Sequence, residues 1–175
     1  DAPDDEGRTY IFYSQSGQVN LNQTITGEGT SDYFGSAFAV GDFNSDGRDD
    51  LAVGAYQDAT NRGKVYVFYN DGEYATAAGS ADVVLTGGSS NDEFGWALAA
   101  GDFDNDGVDD LAAGAPYYSS SGRTGRTYIF YGGAMVSETV SGADVTITGE
   151  GANNRLGYAM TVGDFNADGL DDLVT

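Results

Sequence analysis

Apolar and polar positions alternate in short runs along this chain, and the runs come back. Gly7-Arg8-Thr9-Tyr10-Ile11-Phe12-Tyr13 returns as Gly63-Lys64-Val65-Tyr66-Val67-Phe68-Tyr69 and again as Gly125-Arg126-Thr127-Tyr128-Ile129-Phe130-Tyr131. Aromatic and aliphatic residues alternating in this way predict a strand in each copy. A second set runs over Val19 to Gly27, Ala81 to Gly88 and Ala143 to Gly149, with the endings Thr24-Ile25-Thr26-Gly27, Val84-Leu85-Thr86-Gly87 and Thr146-Ile147-Thr148-Gly149. These are strands again, each closed by glycine. Phe34-Gly35, Phe94-Gly95 and Leu156-Gly157 then lead into a third apolar run, of which Ala37-Phe38-Ala39-Val40 is the first example. Leu51-Ala52-Val53-Gly54 opens a fourth strand in the same unit.

Between the third and fourth runs lies a polar stretch that also occurs three times. It reads Gly41-Asp42-Phe43-Asn44-Ser45-Asp46-Gly47-Arg48-Asp49-Asp50-Leu51, and its copies begin at Gly101 and Gly163. The first aspartates fall at 42, 102 and 164, so the period is 60 and then 62 residues. Four short strands in about 60 residues, repeated, is the pattern of a β-propeller blade. A continuous solenoid is the alternative, but such coils repeat in fewer residues.

The polar stretch has the chemistry of a cation loop. Acidic or amide oxygens stand at positions 1, 3, 5 and 9, and glycine at position 6 allows a sharp bend. Hard oxygens in a flexible cage suit Ca²⁺ better than Mg²⁺, which requires a stricter octahedron. The expected side-chain ligands are Asp42, Asn44, Asp46 and Asp50; Asp102, Asp104, Asp106 and Asp110; and Asp164, Asn166, Asp168 and Asp172. The carbonyls of Arg48, Val108 and Leu170 at position 7 would complete three Ca²⁺ sites per chain. The alternative is an Asp/Gly-rich turn without metal, but crowded carboxylates repel one another and call for a counter-ion. An EF-hand is excluded. Its position 12 is a bidentate Glu flanked by helices, whereas Val53, Ala113 or Thr175 stands there and the flanks read as strands.

Composition narrows the function classes. The chain has 175 residues, a net charge of −21, no Cys and no His. Disulfides, thiolate metal sites and a histidine base are therefore absent. The three loops hold 13 of the 28 acidic residues, and three bound Ca²⁺ would bring −21 to −15. Such a charge argues against nucleic acid and anionic membranes as partners. No apolar run approaches the length of a membrane-spanning helix, so membrane insertion is not expected. Only one base is Lys, which suits salty surroundings, although the loops alone account for nearly half the acids. The chain begins at Asp1 without Met and reads as a mature or trimmed form. The sequon Asn22-Gln23-Thr24 falls in a predicted strand.

The residues Phe34-Gly35 with Gly54-Ala55-Tyr56, and Phe94-Gly95 with Gly114-Ala115-Pro116, enclose the D-x-[DN]-x-D-G-x-x-D loop. In this the chain resembles FG-GAP repeats, the units of the integrin α-subunit β-propeller and of many bacterial secreted proteins. Tyr56 departs from the pattern where Pro is usual, and Leu156 where Phe is usual. The resemblance implies an all-β fold: β-propeller blades of four antiparallel strands, with Ca-binding loops between strands 1 and 2 of each blade. It also implies that ligands use the opposite face, built here from residues 56–63, 116–124, 28–33, 89–93 and 151–155. Tyr33, Tyr56, Tyr117 and Tyr118 are candidate contacts there, because exposed aromatics often anchor recognition; ordinary surface tyrosine is the alternative. Trp96 is expected to pack in the core.

On this reading the chain is a single propeller segment, 1–175. It comprises a half blade at 1–27, full blades at 35–87 and 95–149, and a half blade at 157–175. Asp1-Ala2-Pro3 reads as a Gly-Ala-Pro with Asp for Gly. The ring would be closed by another copy, two copies giving six blades, or by sequence beyond this segment; open half blades are sheet edges that seek partners. The expected function is a calcium-stabilised extracellular binding or adhesion module, secreted or at the cell surface. Its partners would be calcium, an extracellular protein or glycan, and through the half blades a second copy of itself. The alternatives are the non-catalytic propeller part of a secreted hydrolase or phospholipase, or a self-assembling structural unit. Paired acids such as Asp49-Asp50 occur in glycosidase chemistry. Their threefold repetition argues for architecture, and the segment is not expected to be an enzyme.

Overall fold

The computed structural model describes residues 6–57, 60–119 and 122–175, and Asp1-Ala2-Pro3 lies outside them. Among the described residues the regular structure is strand, with two short 3₁₀ turns at Ala78–Ser80 and Val140–Gly142. A first hairpin pairs β1 (Arg8–Gln15) with β2 (Gln18–Thr26). The next sheet contains β3 (Phe38–Gly41), β4 (Asp50–Ala55), β5 (Lys64–Phe68) and β6 (Val83–Thr86), antiparallel in that order. A second sheet repeats it with β7 (Leu98–Gly101), β8 (Asp110–Ala115) and β9 (Arg126–Phe130). After β10 (Glu138–Thr139), β11 (Val145–Thr148) pairs with β9 to complete it. A last pair joins β12 (Thr161–Gly163) to β13 (Asp172–Val174). The fold is all-β, in four-stranded antiparallel blades of the propeller kind, with the acidic loops between the first two strands of each.

The core lies between successive sheets, and the period-2 side-chain pattern of each strand sets which neighbour a residue meets. Val65 and Val67 on β5 face forward to Phe94, Leu111, Tyr128 and Phe130 of the second sheet. Tyr66 and Phe68 on the same strand face back to Ile25 and Phe34. A strand covered on both faces needs no polar position, which is why these runs are apolar throughout. The Phe of each Phe-Gly pair closes the contact edge-on. Phe34 meets Tyr66 and Phe68 at 5.6 and 6.5 Å, and Phe94 meets Tyr128 and Phe130 at 5.8 and 6.2 Å. Beside this contact the backbones nearly touch. A Cβ built on Gly54 would lie 2.2 Å from the Gly95 carbonyl, and one on Gly114 2.0 Å from that of Gly157, so only glycine fits.

Two features go beyond the strand pattern. The connections after β5 and β9 reach back to the preceding unit: β10 pairs in parallel with β6, and Ala77 makes a single parallel bridge to Thr26. Pairings this short carry no periodicity, so the sequence did not announce them. The first unit lacks the long connection altogether, and β1 passes to β2 through a tight turn at Ser16 and Gly17, both with positive φ. On that hairpin Tyr10 and Phe12 are 51% and 57% exposed, whereas Tyr66 and Phe68 at the matching places are 1% and 0% exposed.

Phe94→Ala removes a fully buried ring held by two edge contacts. A loss of about 3–5 kcal/mol is expected, read as a lower midpoint of chemical denaturation at unchanged slope. A cost under about 1 kcal/mol would show that the aromatic contact does not hold the sheets together.

Candidate metal centres and the face opposite them

Each acidic loop is folded by its own side chains. In the first, the Asp42 carboxylate accepts the N–H groups of Asp46 at 3.0 Å and Gly47 at 2.8 Å. The Asn44 side-chain oxygen accepts the Asp46 N–H at 2.9 Å, and Asp46 accepts the Arg48 N–H at 2.9 Å. The second loop repeats this with Asp102, Asp104 and Asp106, and the third with Asp164, Asn166 and Asp168. Position 4 (Ser45, Asn105, Ala167) and the glycine at position 6 all take positive φ, which makes the turn tight. The oxygens at positions 1, 3 and 5 are thereby gathered on the inside of the bend.

The donor set fits a hard cation. Asp102, Asp104 and Asp106 each bring a carboxylate oxygen within 4.8 Å of the other two. Three oxygens that close can contact one calcium ion together, at about 2.3–2.6 Å each. The first and third loops have Asn at position 3, so they gather two carboxylates and one amide oxygen in the same scaffold.

Position 9 plays another part in the geometry. Asp110 stands outside the three-carboxylate cluster and is fully buried. Its two oxygens accept the N–H of Phe103 at 2.8 Å and of Gly132 at 2.9 Å. Asp50 does the same with Phe43 at 3.0 Å and Asn70 at 2.8 Å, and Asp172 accepts the Phe165 N–H at 2.9 Å. Asp50 and Asp110 thereby tie the loop entrance to the turn that follows the third strand. Burial pushes the Asp50 and Asp110 carboxyls above their ordinary value; the backbone N–H groups pull back, and the loop carboxylates push further up. At position 7, the N–H groups of Arg48, Val108 and Leu170 donate to the position-5 carboxylates.

The other ends of the same strands carry different chemistry. Tyr33 meets Tyr56 at 5.0 Å, Tyr56 meets Trp96 at 4.6 Å, and Trp96 meets Tyr158 at 5.2 Å and Tyr117 at 5.9 Å. The guanidiniums of Arg123 and Arg155 lie 5.3 and 5.1 Å from the centre of the Tyr117 ring, and Arg126 lies 3.6 Å from that of Tyr118. Asn91, Glu93, Tyr117 and Arg123 line a hollow of about 400 Å³ there. Burial raises the Glu93 carboxyl, and Arg123 draws it down. Trp96 departs from its expected place: it is half-buried, outside the core clusters, at the centre of this aromatic group. The backbone N–H groups of Trp96 and Gly95 both donate to the Gly114 carbonyl, and that hook turns the indole out between two units. Sequence reasoning also missed Tyr158; its position after Leu156-Gly157, matching Trp96 after Phe94-Gly95, was the available signal.

A sequence profile of the FG-GAP repeat matches residues 34–68 and 94–130. Among curated proteins the chain is 34% identical over 152 residues to phosphatidylinositol-glycan-specific phospholipase D of Rattus norvegicus, covering 80% of this chain and 18% of that protein. It is 42% identical over 117 residues to integrin alpha-IIb of Homo sapiens, covering 62% and 11%. To phosphatidylinositol-glycan-specific phospholipase D of Mus musculus it is 33% identical over 180 residues, covering 94% and 21%. The chain thus spans about a fifth or less of the relatives it matches.

Asp110→Ala strands two backbone donors, at Phe103 and Gly132. It is expected to cost about 2–4 kcal/mol even with a chelator present, because the loss is structural. Asp104→Ala should leave stability in chelator nearly unchanged. Equal losses in chelator for the two variants would overturn this division of roles.

Proposed function

We propose that this chain, an integrin α-like FG-GAP repeat protein, is a calcium-stapled binding module that works outside the cell. The observation that carries the reading is the threefold repetition of one loop scaffold, with oxygens at positions 1, 3 and 5 gathered by the same backbone hydrogen bonds. Calcium, held by the oxygens of Asp42, Asn44, Asp46 and their counterparts, would neutralise the loop charge and staple two adjacent strands. Asp50, Asp110 and Asp172 would serve from the rim, and the carbonyls of Arg48, Val108 and Leu170 would complete the shell. Folding free energy would then include binding free energy. Extracellular calcium fills even sites with dissociation constants of about 10⁻⁴–10⁻³ M, typical of such modules.

The partner face is the aromatic end. Six of the seven basic residues (Arg8, Arg62, Lys64, Arg123, Arg126 and Arg155) belong to the strand starts or loops at that end, and Arg48 alone belongs to an acidic loop. On a chain of charge −21, that end offers the ring faces and guanidiniums an extracellular protein or glycan could use. We assign no catalysis to the segment: the acid pairs repeat in every loop, and their second member is held by backbone N–H groups. A second reading, the non-catalytic propeller part of a secreted phospholipase, is favoured by the likeness to the two phospholipases D. Self-association through the first hairpin is supported by Tyr10 and Phe12, open where Tyr66 and Phe68 are covered.

Native mass spectrometry with and without chelator tests the core of the reading. Three calcium ions per chain are expected, lost on chelation together with a fall in Tm. No bound calcium would overturn it. The middle loop, with four carboxylates among its ligands where the others have three, is expected to bind tightest. Asp102→Ala should therefore cost more affinity than Asn44→Ala in a calcium titration, and equal losses would reject that ranking.

A further inference from the structure

Each loop carries a further acidic residue at position 8: Asp49, Asp109 and Asp171. The structure turns Asp109 away from its own loop and onto the first. Its carboxylate accepts the N–H of Asp42 at 2.8 Å, and its own N–H donates to the Asp42 carbonyl at 3.3 Å. Asp171 repeats the contact one unit on, accepting the N–H of Asp102 at 3.2 Å. In both cases the residue held is position 1 of the preceding loop.

Glycine placement is an independent sign of the same contact. A Cβ on Gly41 would lie 2.8 Å from an Asp109 carboxylate oxygen and 2.9 Å from the Asp109 Cβ. One on Gly101 would lie 2.9 Å from an Asp171 carboxylate oxygen and 2.8 Å from a Val162 methyl. The glycine before the first and second loops is thus the seat for the neighbouring aspartate. Gly133 extends the seam, its N–H donating to the Phe43 carbonyl at 2.8 Å.

We propose that Asp109 and Asp171 are clamps, each on the loop of the preceding unit, so that calcium binding at one loop strengthens binding at the loop before it. The inference rests on the calcium reading above. Asp109 sits between Val108, at position 7, and Asp110, anchored at position 9. When the second loop closes on its ion, this stretch of backbone becomes fixed and the Asp109 carboxylate is held on Asp42. The first loop then has its leading ligand oriented in advance and loses less freedom on binding. Asp171 does the same for the second loop. Coupling of this kind is reciprocal in equilibrium, but its hardware is polar: each clamp comes from the following unit.

The test is a calcium titration followed by amide NMR, using Gly47, Gly107 and Gly169 as reporters of the three loops, with the Asp42 and Asp102 amides followed by hydrogen exchange in chelator. Asp109→Ala should weaken binding at Gly47 about tenfold, speed exchange of the Asp42 amide in chelator, and leave Gly169 unchanged. Asp171→Ala should shift the largest loss to Gly107 and expose the Asp102 amide. Asp109→Asn keeps an acceptor oxygen and should restore most of the Gly47 affinity. If Asp109→Ala weakens only Gly107, or Asp109→Asn is as damaging as Asp109→Ala, the clamp is overturned. If no reporter moves with calcium in the unaltered chain, the calcium reading and the coupling fall together. Exchange of Asp42 still decides whether the hydrogen bond exists.

Discussion

A carboxylate taken out of water must find donors or give up its charge. Asp50 and Asp110 are taken out of water completely. Each meets the demand with two backbone N–H groups, one at the loop entrance and one at the turn after the third strand. That choice joins three pieces of chain within one blade. It sets where the loop starts, how β3 enters beside β4, and where the third strand ends. The loop scaffold and the turn after the third strand both hang from it.

From this anchor the two ends of each sheet become different. At one end, short acidic side chains fold onto their own backbone and gather oxygens. At the other, glycine hooks at Gly54 and Gly114 bring neighbouring units so close that only side chains leaving the seam can grow large. Tyr56, Trp96, Tyr117 and Tyr158 occupy that space, with Arg123 and Arg155 over Tyr117. The acidic loops and the aromatic surface thus lie at opposite ends of the strands, about 20 Å apart along a strand of six residues. The oxygen-lined loops and the aromatic end thus draw on different residues of one sheet.

Strands were legible because their alternation is strong. The aromatic runs at Tyr66-Val67-Phe68 and Tyr128-Ile129-Phe130 fall within β5 and β9. The loops were legible because Asp, Asn and Gly recur at fixed spacings in all three copies, and those spacings are the ones the backbone hydrogen bonds use. Trp96 was misread because a large aromatic beside a Phe-Gly pair looks like core, and only the hook onto the Gly114 carbonyl turns it outward. Asp109 was read as half of an acid pair with Asp110, because the residue it serves lies 67 positions earlier. Nothing local distinguishes a carboxylate that caps its own loop from one that caps a neighbour.

The sequence by itself determined the local structure: where strands begin and end, which turns need positive φ, and which oxygens stand at loop positions 1, 3 and 5. Those properties depend on residues within one turn or one strand, and the repeat states them three times. The tertiary structure alone decided what passes between units. It set the parallel cover of β6 by β10, the aromatic group around Trp96, and the reach of Asp109 and Asp171 into the loops before them. Those contacts join residues tens of positions apart, through one or two hydrogen bonds or a ring face each. Only the face-to-face packing of whole sheets brings such partners within reach.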